Sequence, residues 1–165
     1  MKLLKIALIT LLATSCSSES APPPSFENAT EALDQADSAL NAGDYQIAEA
    51  GYQFAYDAKD ESYMADALIG LFEVALKKND DNAAATYFEK MGTECNERLT
   101  DKELRRLADL CVLATAVETG DMIIKYAVSA YPDNKNDFST PAAALEKIRT
   151  EGPGADLSGL GYAGD

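Results

Sequence analysis

The chain has 165 residues, with 14 Lys and Arg against 28 Asp and Glu and a formal net charge of −14. A surface this acidic repels nucleic-acid backbones and anionic headgroups, which argues against a nucleic-acid partner. Histidine is absent, and with it go Ser-His-Asp and Cys-His nucleophiles, histidine general bases and histidine metal ligands.

The first 15 residues have the layout of a secretory signal peptide. Lys2 and Lys5 lead, an apolar core runs from Ile6 to Leu12, and small residues follow. The segment Ala13-Thr14-Ser15-Cys16 resembles a bacterial lipobox. The resemblance implies cleavage before Cys16 and lipid carried on that cysteine. The lipobox pattern prefers Leu where Ala13 stands, and Ala13 and Ser15 also fit an ordinary small-x-small cleavage site. The apolar run falls short of the ~20 residues that span a bilayer, so an anchored chain is expected rather than a threaded one. Ser17 follows the cysteine. In lipoproteins of diderm bacteria an Asp there signals inner-membrane retention, so for a diderm organism the resemblance implies an outer-membrane address facing the periplasm. Without residues 1–15 the chain keeps 12 basic and 28 acidic side chains, a charge of −16, and the length of one domain.

Residues 16–26 form a Ser/Pro-rich tether stiffened by Pro22-Pro23-Pro24. From residue 27 apolar positions recur at three and four, and no stretch alternates over strand length. The expected fold is all-α, with helices over 27–41, 44–58, 61–78, 81–91, 101–118, 121–131 and 141–151. Breaks are expected at Ala42-Gly43-Asp44, Ala58-Lys59-Asp60, Asn79-Asp80-Asp81 and Thr119-Gly120-Asp121. Thr100-Asp101-Lys102-Glu103 reads as a capping box ahead of an apolar stripe. Thr140-Pro141 reads as a cap followed by proline at the first helical position. Residues 152–165 carry five glycines and read as a flexible tail, with a short docking peptide as the other reading. Cys95 and Cys111 read either as a disulfide, worth about 3 kcal/mol by closing a loop of roughly 15 residues, or as two buried thiols.

Ala48, Tyr52 and Ala55 recur 36 residues later as Ala84, Phe88 and Met91. A period in the thirties built from helix pairs marks a stacked array. The segment from Leu40 through Gly43-Asp44-Tyr45 to Ala48, Tyr52 and Ala55 resembles the second half of a tetratricopeptide repeat. The resemblance covers roughly residues 27–131. It implies antiparallel helix pairs stacked as a short superhelix of about six helices, with the helix 141–151 as a C-terminal cap. The departures are Ala32 in place of a large aromatic, Gln35 and Ala36 in place of Leu-Gly, and Asp60 in place of a closing proline. An antiparallel bundle shares the same alanine-rich helices.

The segment 61–78 is apolar nearly all round, and its polar line is Asp66, Gly70, Glu73 and Lys77, spaced 4, 3 and 4. In a repeat array this line faces the concave side, where Asp66 and Glu73, with Asp37, make an acidic groove for a Lys- or Arg-bearing segment. The other reading is a solvated stripe. Arg98, Lys102, Arg105 and Arg106 form a basic cluster that either meets an acidic partner or pairs with Glu97, Asp101, Glu103 and Asp109. Phe54 and Tyr56 need neighbours outside their own helix. Asp80-Asp81-Asn82 and Asp133-Asn134-Lys135-Asn136-Asp137 hold oxygen ligands but complete no calcium loop.

These features point to a non-catalytic, membrane-anchored adaptor that binds a protein segment in envelope or secretion-complex assembly, with no cofactor. The alternatives are a ligand or metal binder and, furthest from the residues, a glycan-acting enzyme with a carboxylate pair.

Overall fold

The computed structural model describes residues 24–95 and 99–162. Cys16 with its lipobox, and Arg98 of the basic cluster, lie outside the described residues. The fold is all-α, and no strand occurs among the described residues. The helices are α1 (Ala29–Ala42), α2 (Tyr45–Asp57), α3 (Glu61–Lys77), α4 (Asp81–Glu94), α5 (Asp101–Leu113), α6 (Val117–Ala130) and α7 (Ser139–Glu151). A 3-10 helix (Pro132–Phe138) precedes α7, and a single 3-10 turn (Ser158–Leu160) follows it.

Local chemistry explains most boundaries. The side chains of Asn28, Asp44, Asp60 and Asp80 each accept an amide of the first turn they cap. Such a cap is worth about 1 kcal/mol, because it satisfies a donor the helix cannot. Thr100 and Glu103 form the reciprocal capping box of α5.

The turn inside each helix pair repeats at a fixed interval. Gly43, Asn79 and Thr115 all adopt left-handed backbone, each 36 residues after the last. The next amides, of Asp44, Asp80 and Ala116, donate to Ala39, Ala75 and Cys111 at 2.8, 2.9 and 2.9 Å. Each helix thus ends in the same 6→1 closure. The buried positions repeat in step. Ala32, Leu68 and Leu104 have no exposure, and neither do Ala36, Phe72 and Ala108. Ala48, Ala84 and Gly120 are buried on the second helices, as are Ala55, Met91 and Ala127.

The third pair therefore differs from expectation. Its turn lies at Ala114-Thr115-Ala116, and Gly120 sits inside α6. The glycine is a close-approach residue: a Cβ there would stand 2.5 Å from Leu145 Cδ1 and 3.1 Å from Cys111 Cβ. Gly51 does the same in the first pair, where a Cβ would meet the Ala32 carbonyl oxygen at 2.7 Å and Ala36 Cβ at 2.9 Å. That contact accounts for the small residues Ala32 and Ala36 in α1.

Two layers result. Helices α1, α3, α5 and α7 lie side by side in one, each next to its neighbour. In the other, α2 packs on α1 and α3, and α4 packs on α3 and α6. A core of buried residues runs from Ala29 to Phe138. Helix α7 starts at Ser139, so Thr140 is no cap; Pro141 falls in the first turn, where no intrahelical donor is needed. The glycine-rich segment also departs from a flexible tail, since Ala155, Leu157, Leu160 and Tyr162 pack against Val112, Ala144, Leu145 and Ile148.

Candidate functional site

The first layer carries a groove of about 570 Å³ between α1, α3 and α5. Asp34 and Asp37 line it from α1, Asp66 and Glu73 from α3, and Glu103 and Arg106 from α5. Five carboxylates thus face one guanidinium. The polar line read from the 4-3-4 spacing enters this groove at Asp66, Gly70 and Glu73. Lys77, one turn further on, is exposed and lines an adjoining pocket of about 210 Å³ with Leu76, Leu110 and Leu113. Glu73 borders both pockets.

The floor is set by a tyrosine on a glycine. Tyr52 of α2 is 2% exposed, and its ring lies on Gly70, where a Cβ would be 2.3 Å from Cε1. Its hydroxyl donates to Asp37 Oδ1 at 2.6 Å. Burial, then the bond to Asp37 and that carboxylate's charge, push the phenol well above its ordinary pKa. Tyr52 is thus a fixed neutral donor that holds Asp37 at the groove's edge.

The basic cluster is not one patch. Arg106 reaches across to α3 and pairs with Glu73. Arg105 stays on its own helix, donating to both oxygens of Asp109 at 3.0 and 2.9 Å, and also to the Asp137 carbonyl. Lys102 is exposed. Successive residues on a helix point about 100° apart, so two adjacent arginines serve different neighbours.

The two cysteines are unbonded, which corrects the disulfide reading. Cys111 has no exposure and packs toward Gly120, while Cys95 caps the end of α4. Burial, followed by the charge of Asp81, pushes the Cys111 thiol far up, and burial raises Cys95 as well.

Other candidate groups have local roles. Phe54 pairs with Phe26 at 5.4 Å between ring centroids. Tyr56 donates to Glu94 at 2.7 Å, under the Lys59 ammonium. Asp80 caps α4 and Asp81 accepts the Thr119 hydroxyl. Asn134 donates to Asp101 at 2.6 Å. Among the described residues no three Cys, Asp or Glu side chains converge as metal ligands. No described helix is long and apolar enough to cross a membrane.

Sequence reading missed Asp34, Glu103 and Tyr52 as groove residues and placed Arg106 in the wrong company. The 36-residue interval, carried to either side of Gly70 in the polar line, reaches Asp34 and Arg106 and was the available signal for those two; Glu103 and Tyr52 carry no such mark. No family model matches the chain, and neither a curated protein nor a solved structure matches it.

Proposed function

We propose that this protein is a non-catalytic adaptor. Lipid on Cys16 holds it at a membrane, the outer membrane facing the periplasm in a diderm cell, and its tetratricopeptide-like domain captures a protein segment bearing Lys or Arg. The observation that carries this reading is the open groove, in which Asp34, Asp37, Asp66, Glu73 and Glu103 surround a lone cation, Arg106, itself paired with Glu73. Complementary charge steers encounter and selects among partners, and its effect weakens with salt. An extended segment suits a groove that crosses three parallel-stacked first helices better than a small ligand does.

The test is crosslinking and capture from native membranes, comparing the wild type with the Asp34→Lys, Asp66→Lys double variant. Both side chains are exposed, so helicity is expected to be unchanged. Loss of one specific partner supports the groove. An unchanged partner list removes the groove assignment, and no partner for either form removes the adaptor reading. For the anchor, Cys16→Ser is expected to move the protein from the membrane fraction to the soluble one.

A further inference from the structure

The concave layer has a second stretch, and the chain covers it itself. Asp109 stands at the third-unit position equivalent to Asp37 and Glu73, 36 residues after the latter. Asp37 and Glu73 line the open groove, and Asp109 does not. Helix α5 turns Glu103 and Arg106 toward α3. Its other flank, with Arg105, Asp109 and Val112, meets the segment that follows α7: the Tyr162 hydroxyl donates to Asp109, and Leu157 and Leu160 pack in the cluster of Val112, Leu145 and Ile148.

We infer that residues 153–162 are a strap, a resident peptide that occupies the third unit's share of the concave surface and exchanges with a partner segment. The inference rests on reading the concave layer as a peptide-binding surface.

Three observations support exchange over permanent packing. First, Ala155, Leu157, Leu160 and Tyr162 are each only partly buried, so the strap lies on the surface rather than in the core. Second, its backbone is held loosely: the Lys147 ammonium of α7 donates to the Asp156 carbonyl, a Cβ added to Gly154 or Gly159 would meet nothing within 4 Å, and Gly152 before the strap and Gly161 near its end, both at positive φ, serve as pivots. Third, release strands no charge. Asp109 keeps its ion pair with Arg105 at 2.9 Å when Tyr162 leaves. Opening exposes Leu145 and Ile148 of α7, across α5 from the acidic groove. The partner segment that gains from opening therefore carries a basic stretch for α1 and α3 and apolar side chains for α5 and α7.

The test uses a fluorescein-labelled peptide of residues 153–162, with anisotropy read against the full chain and against the full chain carrying Leu157→Ser, Leu160→Ser and Tyr162→Ser. The strapless variant is expected to bind the peptide at least tenfold more tightly than the wild type, whose own strap competes. Adding Asp109→Asn is expected to weaken that binding about threefold or more. Equal affinity for the two chains overturns the inference, as does absence of binding to a variant of wild-type helicity. Hydrogen exchange on the unaltered chain is the second measurement. Amides of 154–162 are expected to exchange at least tenfold faster than those of α5 and α7, and exchange of all three in one cooperative step overturns the strap. If the peptide binds while no partner is captured from membranes, the adaptor reading falls and the strap stands; the opposite pair of results removes the strap alone.

Discussion

Alanine at Gly70 tests the packing that builds the groove floor. An ideal Cβ there lies 2.3 Å from Tyr52 Cε1 and 2.4 Å from Cδ1 and Cζ. Carbon atoms rest near 3.5–4.0 Å, so the ring must retreat by roughly 1 Å. It has little room, being 2% exposed, and its hydroxyl is held by Asp37 at 2.6 Å. Overpacking costs about 1–3 kcal/mol, and weakening a bond to a carboxylate adds up to about 1.5–3 kcal/mol. The helix-propensity gain of alanine over glycine returns about 1 kcal/mol. Gly70→Ala is therefore expected to destabilise by about 1.5–5 kcal/mol. The control is Gly92 of α4, exposed and with nothing within 4 Å of an added Cβ. Gly92→Ala is expected to stabilise by about 0.5–1 kcal/mol. Urea unfolding followed by far-UV circular dichroism reads both. In the Gly70→Ala background, Tyr52→Leu is expected to recover part of the loss, since the two residues share one contact. A Gly70→Ala chain as stable as the wild type would refute the close packing of α2 on α3 and the groove floor with it.

Thr115 holds a left-handed φ of 56° despite its branched side chain, so Thr115→Gly is expected to raise the urea midpoint by the equivalent of about 1 kcal/mol. A fall would place the third turn elsewhere. Thr100→Ala removes the capping box of α5 and is expected to cost about 1 kcal/mol in the same assay. The pair of Arg106 with Glu73 is half open to water on the arginine side, 58% exposed, so Arg106→Ser is expected to change stability by less than about 1 kcal/mol. Under the proposed function the same change tightens binding of a tri-lysine peptide and steepens its salt dependence; unchanged binding counts against the groove. Burial raises the Cys111 and Cys95 thiols in the folded chain. The unfolded chain then loses these protons first, so their contribution is fully present below the unfolded thiol value of about 8.5 and stability falls as pH rises beyond it. Thermal midpoints are expected to drop from pH 8 to 10, less so in Cys111→Ala, and a flat profile would show that the thiols are not buried.

Much of the fold is legible locally. Asn28, Asp44, Asp60, Asp80 and Thr100 each stand before an apolar period and cap the helix that follows. The 4-3-4 spacing of Asp66, Gly70, Glu73 and Lys77 puts one line of a largely buried helix on view, and three of the four line the groove. These signals act within a turn or two, where the chain's own geometry leaves few choices. The third turn escaped because its residues argue against it. Thr115 disfavours left-handed backbone, and Gly120 mimics a break, yet the glycine is spent on the contact with Leu145 and Cys111. The partner of Arg106, the contact of Arg105 with the Asp137 carbonyl, the free state of Cys95 and Cys111, and the docking of Tyr162 on Asp109 depend in the same way on which helices become neighbours. Sequence determined the helices, their caps, the repeat in the first two pairs and the acidic line on α3. Tertiary structure alone decided which charges pair across helices, as Arg106 does with Glu73, and where the C-terminal segment lies, because those contacts join residues roughly 30–50 positions apart, and only the packing of whole helices brings them together.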